Sequence, residues 1–293
     1  MKIDPKNTPT PQVHQYLLGA IAPRPIAFAS TIDKEGRVNL SPYSFFNCFS
    51  ANPPILIFSP ARRVRGNTTK HTLHNAQDTG EVVINVVNYP IVEQMSLSST
   101  EYDEGVNEFI KSGLTEVPSE LVAPPRVKES PVSFECKVKE IIALGQEGGA
   151  GNLVICEVVM MHIAEHILDA EQRIDPFKMD HVARMGGNWY SRIIDEALFE
   201  IPKPIRTKGI GVDSLPQSVR ESNILTGNNL GRLGNLETLP TEEEVSKHAN
   251  ASGLSAAQAV ENRVEALHLL AQQQLETDTL LAMKTLMVAD QHS

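Results

Sequence analysis

The chain has 293 residues, 41% of them hydrophobic, which is enough for one large domain or for a domain with an appendage. Its 26 Lys and Arg residues face 36 Asp and Glu residues, and the net charge of −10 argues against nucleic acids and anionic membranes as partners. No apolar run approaches the roughly 18 residues of a membrane span, which excludes a membrane-spanning helix.

The N-terminal part predicts two strands around a polar turn. Residues 1–13 suggest an extended arm, and residues 14–19 a short strand or turn. An apolar strand at 24–31 leads into a turn ending at Gly36, and small hydroxyl residues beside aromatic ones follow at 41–47. Hydroxyls suit a phosphate or a polar ring edge, and aromatic side chains suit a flat ring. Arg24, held extended between two prolines, could reach a phosphate or a carbonyl, the alternative being a surface ion pair.

A buried strand and a helix follow, with basic residues between them. Residues 54–59 form a continuous apolar run that begins with proline and leads into a loop containing Arg62, Arg63 and Arg65. This loop is either an electropositive rim for a phosphate or a solvated loop. Residues 68–79 predict a helix closed by Gly80, with Lys70 and Thr72 near its N-terminus, where unpaired N–H groups favour a phosphate.

The middle of the chain predicts a strand at 81–87 and a long hairpin formed by residues 132–144 and 152–163. The glycine-rich turn at 145–151 joins two strands, whereas a Rossmann dinucleotide site needs a strand followed by a helix, so no such domain is expected. His162 and His166 are four residues apart, a spacing that suits a metal only on a helix. They fall at the end of a predicted strand, and no metal site is predicted.

The last third differs in composition from the rest. Residues 203–240 are rich in Gly, Asn, Pro and Leu and predict an irregular wrapping segment. Residues 241–293 predict a helical extension, with helix starts of the capping-box type at Thr241 and at Ser255. Apolar residues at helical spacing, among them Leu267 and Leu286, form a stripe that packs on the chain's own barrel, on a second subunit, or on another protein.

Seven stretches of the chain, taken together, resemble the flavin reductase-like domain family, whose fold is the FMN-binding split β-barrel. They are Pro23-Arg24-Pro25-Ile26, Ser30-Thr31, residues 39–47, Pro53-Pro54-Ile55, Lys70-His71-Thr72, residues 80–85 and residues 186–192. His71 stands where the family has Asp. The resemblance implies a mainly β protein with helices: a split-barrel domain at 1–202, the wrapping segment at 203–240 and an α-helical C-terminal extension at 241–293.

The resemblance also implies the site residues, all of them cofactor contacts. The expected ring-edge contacts are Ser41, Ser44, Phe45, Phe46 and Asn47; the phosphate candidates are Ser59, Arg63, Lys70 and Thr72; Arg24, Tyr190 and Arg192 complete the pocket. No residue is assigned a catalytic role, because a bound flavin carries the electron chemistry itself.

The function implied is that of an FMN-dependent oxidoreductase with NADH or NADPH as co-substrate. The first hypothesis is an NAD(P)H:flavin reductase that supplies reduced flavin to a partner monooxygenase. The second is a self-contained FMN-dependent reductase or oxygenase of a small organic molecule, and the third is a non-enzymatic FMN-binding electron carrier. The family also implies a homodimer with the flavin near the interface.

The cysteines and the N-terminus bear on location. Cys48, Cys136 and Cys156 are widely separated, form no C-x-x-C pair and are expected to be buried or partly buried thiols. An odd number of cysteines, together with a polar N-terminus that lacks a signal-peptide pattern, predicts a cytoplasmic protein.

Overall fold

The computed structural model describes residues 1–201, 204–250, 254, 257 and 259–291. It divides the chain into two compact units, Met1–Phe199 and Glu200–Ser293. The predicted domain boundary between residues 202 and 203 and the predicted helix start at Ser255 lie outside the described residues.

The first unit is built on a seven-stranded antiparallel sheet, in agreement with the mainly β prediction. The strand order is β2-β1-β5-β8-β9-β4-β3. The strands are β1 (Ala27–Ile32), β2 (Val38–Tyr43), β3 (Phe46–Ala51), β4 (Pro54–Phe58), β5 (Glu81–Val86), β8 (Val132–Ala143) and β9 (Asn152–Ile163). Two smaller sheets pair β6 (Glu116–Val117) with β7 (Arg126–Val127) and β10 (Val182–Arg184) with β11 (Tyr190–Arg192).

The predicted long hairpin is confirmed. β8 and β9 pair from Val132 opposite Ile163 to Ala143 opposite Asn152, and the register shifts twice along the ladder. Such bulges increase the local twist of a long hairpin and bend it, as closing a sheet toward a barrel requires. β3 and β2 are the outer strands of the sheet.

The helices of the first unit include one that the sequence analysis missed. They are α1 (Thr10–Ala20), α2 (His71–Thr79), α3 (Val92–Leu97), α4 (Glu108–Ser112) and α5 (Pro176–Met179), with 3-10 turns at Pro5–Asn7, Tyr89–Ile91, Glu165–Ile167 and Asp195–Ala197. The predictions of an extended arm at 1–13 and of a short strand or turn at 14–19 are wrong for residues 10–20, which form α1. Proline in its first turn fits a helix start, and the helix buries no residue, so its apolar pattern gave little signal.

Two apolar clusters lie on the two faces of the central strands. Ala27 and Ala29 of β1 belong to one cluster with Phe58, while Phe28 belongs to the other with Phe109. β1 is therefore covered on both sides, which explains its continuous apolar sequence. Helix α2 contributes Leu73 and Ala76 to the first cluster. It ends at Gly80, whose φ of 69° is the left-handed conformation predicted for this cap.

The second unit is helical. It contains a 3-10 turn at Val212–Ser214 and the helices α6 (Gln217–Arg220), α7 (Gly227–Leu233), α8 (Glu242–Ala249), α9 (Arg263–Gln274) and α10 (Thr279–Asp290). The expected irregular segment thus contains two short helices, and Thr226 caps the second of them through a capping box with Asn229. The capping box predicted at Thr241 is confirmed, with Glu244 as its partner.

The apolar stripe of the last helices packs inside this unit. Leu267 is buried in a cluster with Val245, and Leu286 is buried in a cluster with Leu233. A packing partner outside this unit was predicted for the stripe, because residues 203–240 were expected to be irregular rather than helical. Over the residues that the structure describes, every helix is too short or too polar to cross a membrane.

Candidate functional site

A cleft opens at the N-terminal end of helix α2, and we call it the α2 cleft. Residues from β2, from the loop after β4, from the first turn of α2, from the loop after α3 and from α4 line it. They are Asn39, Ser41, Tyr43, Arg63, Lys70, His71, Thr72, Ser98, Ser99, Thr100, Glu101, Tyr102 and Glu108. The lining is therefore mostly hydroxyl, amide and charged side chains.

The start of α2 supplies backbone donors to this cleft. Lys70 is the N-cap residue, and its side chain makes no capping hydrogen bond. The first N–H groups of a helix have no acceptor within the helix, so those of His71 and Thr72 are available to a ligand. The positive end of the helix dipole adds a favourable potential for an anion at the same place.

Lys70 places in the cleft a positive charge that has no ion-pair partner among the described residues. Its ammonium stands over the Tyr43 ring, 5.2 Å from the ring centroid. Burial lowers the pKa of Lys70, and the charge of Arg63 lowers it further. Within the described residues this ammonium makes no ion pair, so an anionic ligand would relieve both effects.

Arg63 forms the rim of the cleft and is held by its own loop. Its Nη1 donates to the Thr68 hydroxyl at 3.2 Å and to the Thr69 carbonyl at 2.7 Å. Its Nε donates to the Glu101 carboxylate at 2.8 Å. The guanidinium is thereby fixed facing the cleft, with a carboxylate as its present counter-ion.

A buried chain of polar groups forms the back wall. The Thr72 hydroxyl donates to Asn39 Oδ1 at 3.3 Å, and Asn39 Nδ2 donates to the Glu108 carboxylate at 3.4 Å. Glu108 also accepts a 2.9 Å hydrogen bond from the Leu40 backbone N–H. Burial raises the pKa of Glu108, and these hydrogen bonds oppose the rise without cancelling it.

The Tyr43 hydroxyl is the unsatisfied donor of the site. It is buried and, among the described residues, has no partner with hydrogen-bond geometry. Burial raises the pKa of Tyr43, and the nearby hydroxyls of Ser41 and Thr72 oppose that rise. An unpaired ammonium, two free backbone N–H groups and spare hydroxyls are all donors. They fit a ligand group that only accepts, such as the phosphate of FMN.

Four of the twelve predicted site residues meet in this cleft: Ser41, Arg63, Lys70 and Thr72. Arg24 does not line it. Its buried guanidinium donates to the carbonyls of Leu18 at 2.7 Å, Met185 at 2.9 Å and Ile21. Arg24 thus ties the C-terminal end of α1 to the loop at 185, and a cofactor contact by it stays a prediction.

Four of the five residues expected at the ring edge, Ser44 to Asn47, lie around the start of β3, outside the lining of the α2 cleft, whereas the fifth, Ser41, lies on β2 and lines the cleft. Ser44 accepts a 3.4 Å hydrogen bond from Arg24 Nε, and the Asn47 side chain accepts one from the Cys48 N–H at 2.8 Å. Phe45 is 39% exposed, while Phe46 packs against the first core cluster. Ser59 is buried, and its N–H donates to the Phe45 carbonyl at 2.8 Å.

The last two predicted residues lie on β11. Arg192 makes a bidentate ion pair with Asp180, at 2.7 Å and 2.9 Å, and stacks over the Tyr89 ring at 3.7 Å. The Tyr190 ring lies 4.6 Å from the Arg184 guanidinium. Neither side chain lines the α2 cleft, so their place beside a flavin ring also stays a prediction.

The sequence analysis missed several lining residues. Tyr43 lay inside the motif that carried the family resemblance, but only its neighbours were chosen. Ser98, Ser99, Thr100 and Glu108 were not chosen as site residues either. The run of three hydroxyl residues at 98–100 was the signal available for the first three.

A second cleft adjoins the first but has a different charge pattern. Its basic side chains are already paired: Lys34 with Asp78 at 3.0 Å, and Arg37 with Asp33 and with Glu104. An anion would therefore find no free counter-charge there. In the part of the chain that the structure describes, no group of three His, Cys, Asp or Glu side chains is placed to hold a metal ion.

Comparison with protein families gives one match that covers more than half of the chain. Residues 19–178 match the model of the flavin reductase like domain. A protein of Aquifex aeolicus is 35% identical over 196 residues, which are 67% of this chain and 97% of that protein. A protein of Halalkalibacterium halodurans is 38% identical over 194 residues, which are 66% of this chain and 92% of that protein.

Solved structures give the same picture. Nitrilotriacetate monooxygenase component B from Bacillus cereus matches with a TM-score of 0.64 and 31% identity, over 69% of this chain and 98% of that one. The 2-nitrobenzoate 2-nitroreductase NbaA of Pseudomonas fluorescens matches with a TM-score of 0.62 and 27% identity, over 71% and 100%. A Shewanella frigidimarina protein described as having a split barrel domain matches with a TM-score of 0.58 and 27% identity, over 69% and 99%. The predicted split-barrel fold is confirmed.

Proposed function

This chain belongs to the flavin reductase-like domain family, and on that premise we propose that it is an FMN-dependent oxidoreductase that takes hydride from NADH or NADPH. The observation that carries the proposal is the α2 cleft, whose free donors and unpaired Lys70 suit the phosphate of FMN. FMN differs from riboflavin by this phosphate, so a built phosphate site favours FMN as the flavin.

The residues of the cleft would hold the phosphate by complementary contacts. Lys70 and Arg63 supply positive charge, and the N–H groups of His71 and Thr72 supply directed donors at a helix N-terminus. The Tyr43 hydroxyl, buried without a partner in the described structure, would donate a further hydrogen bond. The Thr72 hydroxyl donates to Asn39 in the absence of a ligand, and rotation of its O–H bond would let it donate to the phosphate instead.

The bound flavin would supply the redox chemistry by accepting hydride at its ring and passing electrons on. The protein would anchor the phosphate at the α2 cleft, which fixes one end of the cofactor. Ser44, Phe45, Phe46 and Asn47, with Tyr190 and Arg192, are proposed to contact the ring from β3 and β11. We propose further that the protein is a homodimer, as the family resemblance implies, and that it is cytoplasmic, as its odd number of cysteines suggests.

The first candidate activity is an NAD(P)H:flavin reductase that delivers reduced flavin to a partner monooxygenase. Its support is the similarity to a monooxygenase component B, at 31% identity over 98% of that chain. The second candidate is a self-contained reductase of a small organic molecule. Its support is the similarity to a nitroreductase, at 27% identity over all of that chain.

The first experiment is an absorption spectrum of freshly purified full-length protein, followed by anaerobic NADH and, separately, NADPH. We expect flavin bands near ~450 nm that bleach on addition of one of the two nucleotides. A protein that is colourless and fails to bind added FMN would contradict the proposal. Bands that persist with both nucleotides would contradict only the nicotinamide donor.

A second experiment separates the two candidate activities. Steady-state NAD(P)H oxidation is measured with and without added free FMN, and with a nitroaromatic compound as an alternative acceptor. A flavin reductase requires free flavin for rapid turnover. A self-contained reductase turns over with the organic acceptor alone.

A further inference from the structure

Glu101 is an anion placed inside a cleft that otherwise suits an anion. Its carboxylate accepts a 2.8 Å hydrogen bond from Arg63 Nε. Its charge also acts on Lys70, whose pKa it raises against the lowering effects of burial and of Arg63. The carboxylate therefore offsets part of the repulsion between the two cations.

The two partners of this ion pair are held very differently. The Arg63 side chain is 24% exposed and is fixed by Thr68 and Thr69, so it can stay in place when the pair opens. The Glu101 side chain is 70% exposed and accepts only from Arg63 among the described residues. Moving Glu101 into water breaks one exposed contact, and such contacts contribute little stability.

We propose that Glu101 is a built-in competitor for the phosphate of the ligand. Its carboxylate pairs with Arg63 while the cleft holds no phosphate. When the flavin binds, the phosphate replaces this carboxylate as the partner of Arg63. This inference rests on the proposed function, because it takes the α2 cleft as the phosphate site.

The exchange makes the cleft selective for a strongly charged, multidentate anion. A phosphate monoester carries a charge of about −1.5 to −2 at pH 7 and has three acceptor oxygens. It can satisfy Lys70, the start of α2 and Arg63 together, whereas a weakly charged anion would gain too little to displace Glu101. The same competition lowers the net affinity for FMN, which favours exchange of the flavin during turnover.

The test is the affinity of the full-length apoprotein for FMN and for riboflavin, measured by quenching of flavin fluorescence in low-salt buffer. Removing the competing charge in Glu101→Gln should tighten FMN binding by roughly 1.4- to fivefold, the range given by an exposed ion pair of about 0.2–1 kcal/mol. Riboflavin affinity should not change, because riboflavin carries no phosphate.

Glu104→Gln is the matched control. Glu104 lies on the same loop, its side chain is 72% exposed, and it pairs with Arg37 at 3.1 Å rather than with a residue of the α2 cleft. FMN affinity should stay at the wild-type value in this variant. Equal tightening in both variants would mean a general effect of negative charge and would overturn the proposal.

A double-mutant cycle with Arg63→Gln isolates the competition. Once Arg63 is absent, Glu101→Gln should change FMN affinity less than it does in the wild-type background. An equal change in both backgrounds, or no tightening in Glu101→Gln, would overturn the inference while leaving FMN binding intact. Failure of the wild-type protein to bind FMN would instead overturn the proposed function, and the inference with it.

Discussion

The Lys70 ammonium lies 5.2 Å from the centroid of the Tyr43 ring, and both residues line the α2 cleft. The aromatic face partly compensates the charge, but a ring is a weaker partner than a carboxylate. Both groups are also desolvated, which lowers the pKa of Lys70 and raises that of Tyr43. A dianionic ligand would favour the charged lysine and accept from the tyrosine hydroxyl.

The first prediction concerns Lys70. Lys70→Met should weaken FMN binding by roughly ten- to a hundredfold, since hydrogen bonds to charged groups contribute about 1.5–3 kcal/mol. Riboflavin binding should change little, and the loss should shrink as salt concentration rises. Lys34→Met is the control, because Lys34 is exposed and paired with Asp78 outside the α2 cleft. Equal weakening of FMN binding and riboflavin binding would mean that Lys70 contacts a part of the flavin that both molecules share, and not the phosphate.

The second prediction concerns the pH dependence caused by Glu108. Because burial raises its pKa in the folded state, the folded protein prefers the protonated carboxyl. The stabilisation from this preference is complete below the ordinary carboxyl value of 4.5 and is lost as pH rises through the folded-state pKa. Ionised Glu108 therefore costs stability at neutral pH.

Glu108→Gln should gain stability relative to wild type as the pH is raised from 5 to 8, measured by urea unfolding. The amide oxygen can still accept from the Leu40 N–H, so the variant should fold. Glu104→Gln serves as an exposed control, and a parallel shift in both variants would contradict a special role for Glu108.

The third prediction concerns Glu135, whose pKa is shifted in the opposite direction to that of Glu108. Its side chain is fully buried and accepts from the Glu120 and Leu121 N–H groups at 2.8 Å and 2.6 Å, and His162 Nε2 lies 2.6 Å away. Burial raises the pKa of Glu135, but these hydrogen bonds outweigh it and the net pKa is lowered. Its stabilisation is present above 4.5 and is lost as pH falls through the folded-state pKa.

Glu135→Gln should destabilise the protein by about 1–3 kcal/mol at pH 7, because charge-assisted hydrogen bonds are replaced by weaker ones. The difference in unfolding free energy from wild type should shrink as the pH falls below 4.5, because protonation of wild-type Glu135 removes the same charge that the substitution removes. Glu140→Gln, an exposed change on the same strand, is the control. A difference that stays constant with pH would show that shape rather than charge matters at this position.

The sequence predicted the elements whose signals are local. The β8–β9 hairpin follows from two runs of β-branched residues around a glycine-rich turn, and the end of α2 follows from Gly80. Helix α1 was missed because it buries no residue and so has no apolar face to detect. The same limit applies to the helices at 203–240, which are each shorter than eight residues.

For the site, the sequence found side chains with a suitable chemistry but could not assign their partners. Lys70 and Thr72 were predicted near a helix N-terminus because a helix start is recognisable along the chain, and both residues lie there. Arg24 was expected to reach a phosphate or a carbonyl, or to form a surface ion pair, and its guanidinium donates to backbone carbonyls of residues as far away as Met185. Such long-range contacts depend on how the chain folds back, and single-residue chemistry does not encode them.

The fourth prediction separates the two roles of Arg24. If Arg24 is a clamp, Arg24→Met should lower stability by about 1–3 kcal/mol, since it removes the hydrogen bonds that its guanidinium makes to three partly buried backbone carbonyls. FMN affinity, measured well below the melting temperature, should then change little. Unchanged stability with a large loss of FMN affinity would instead establish Arg24 as a cofactor contact.

The fifth prediction concerns the three thiols, which the sequence analysis expected to be buried or partly buried. Cys136 and Cys156 are buried, but Cys48 on β3 is exposed, so that expectation is wrong for Cys48. Burial raises the pKa of Cys156 to about 12, and burial raises that of Cys136 well above its usual value. Because the thiolate is the reactive form, a disulfide reagent at pH 8 should rapidly modify one thiol of the three.

Cys48→Ser should abolish that rapid phase, and unfolding in urea should expose both remaining thiols. Rapid reaction of a second thiol in the folded wild-type protein would contradict the burial of Cys136 and Cys156. These two residues lie on β8 and β9, at the centre of the sheet, so their reaction would mean that the hairpin opens from its neighbours. Slow modification of Cys136 and Cys156 in the folded protein would therefore measure local opening of the sheet on which the α2 cleft is built.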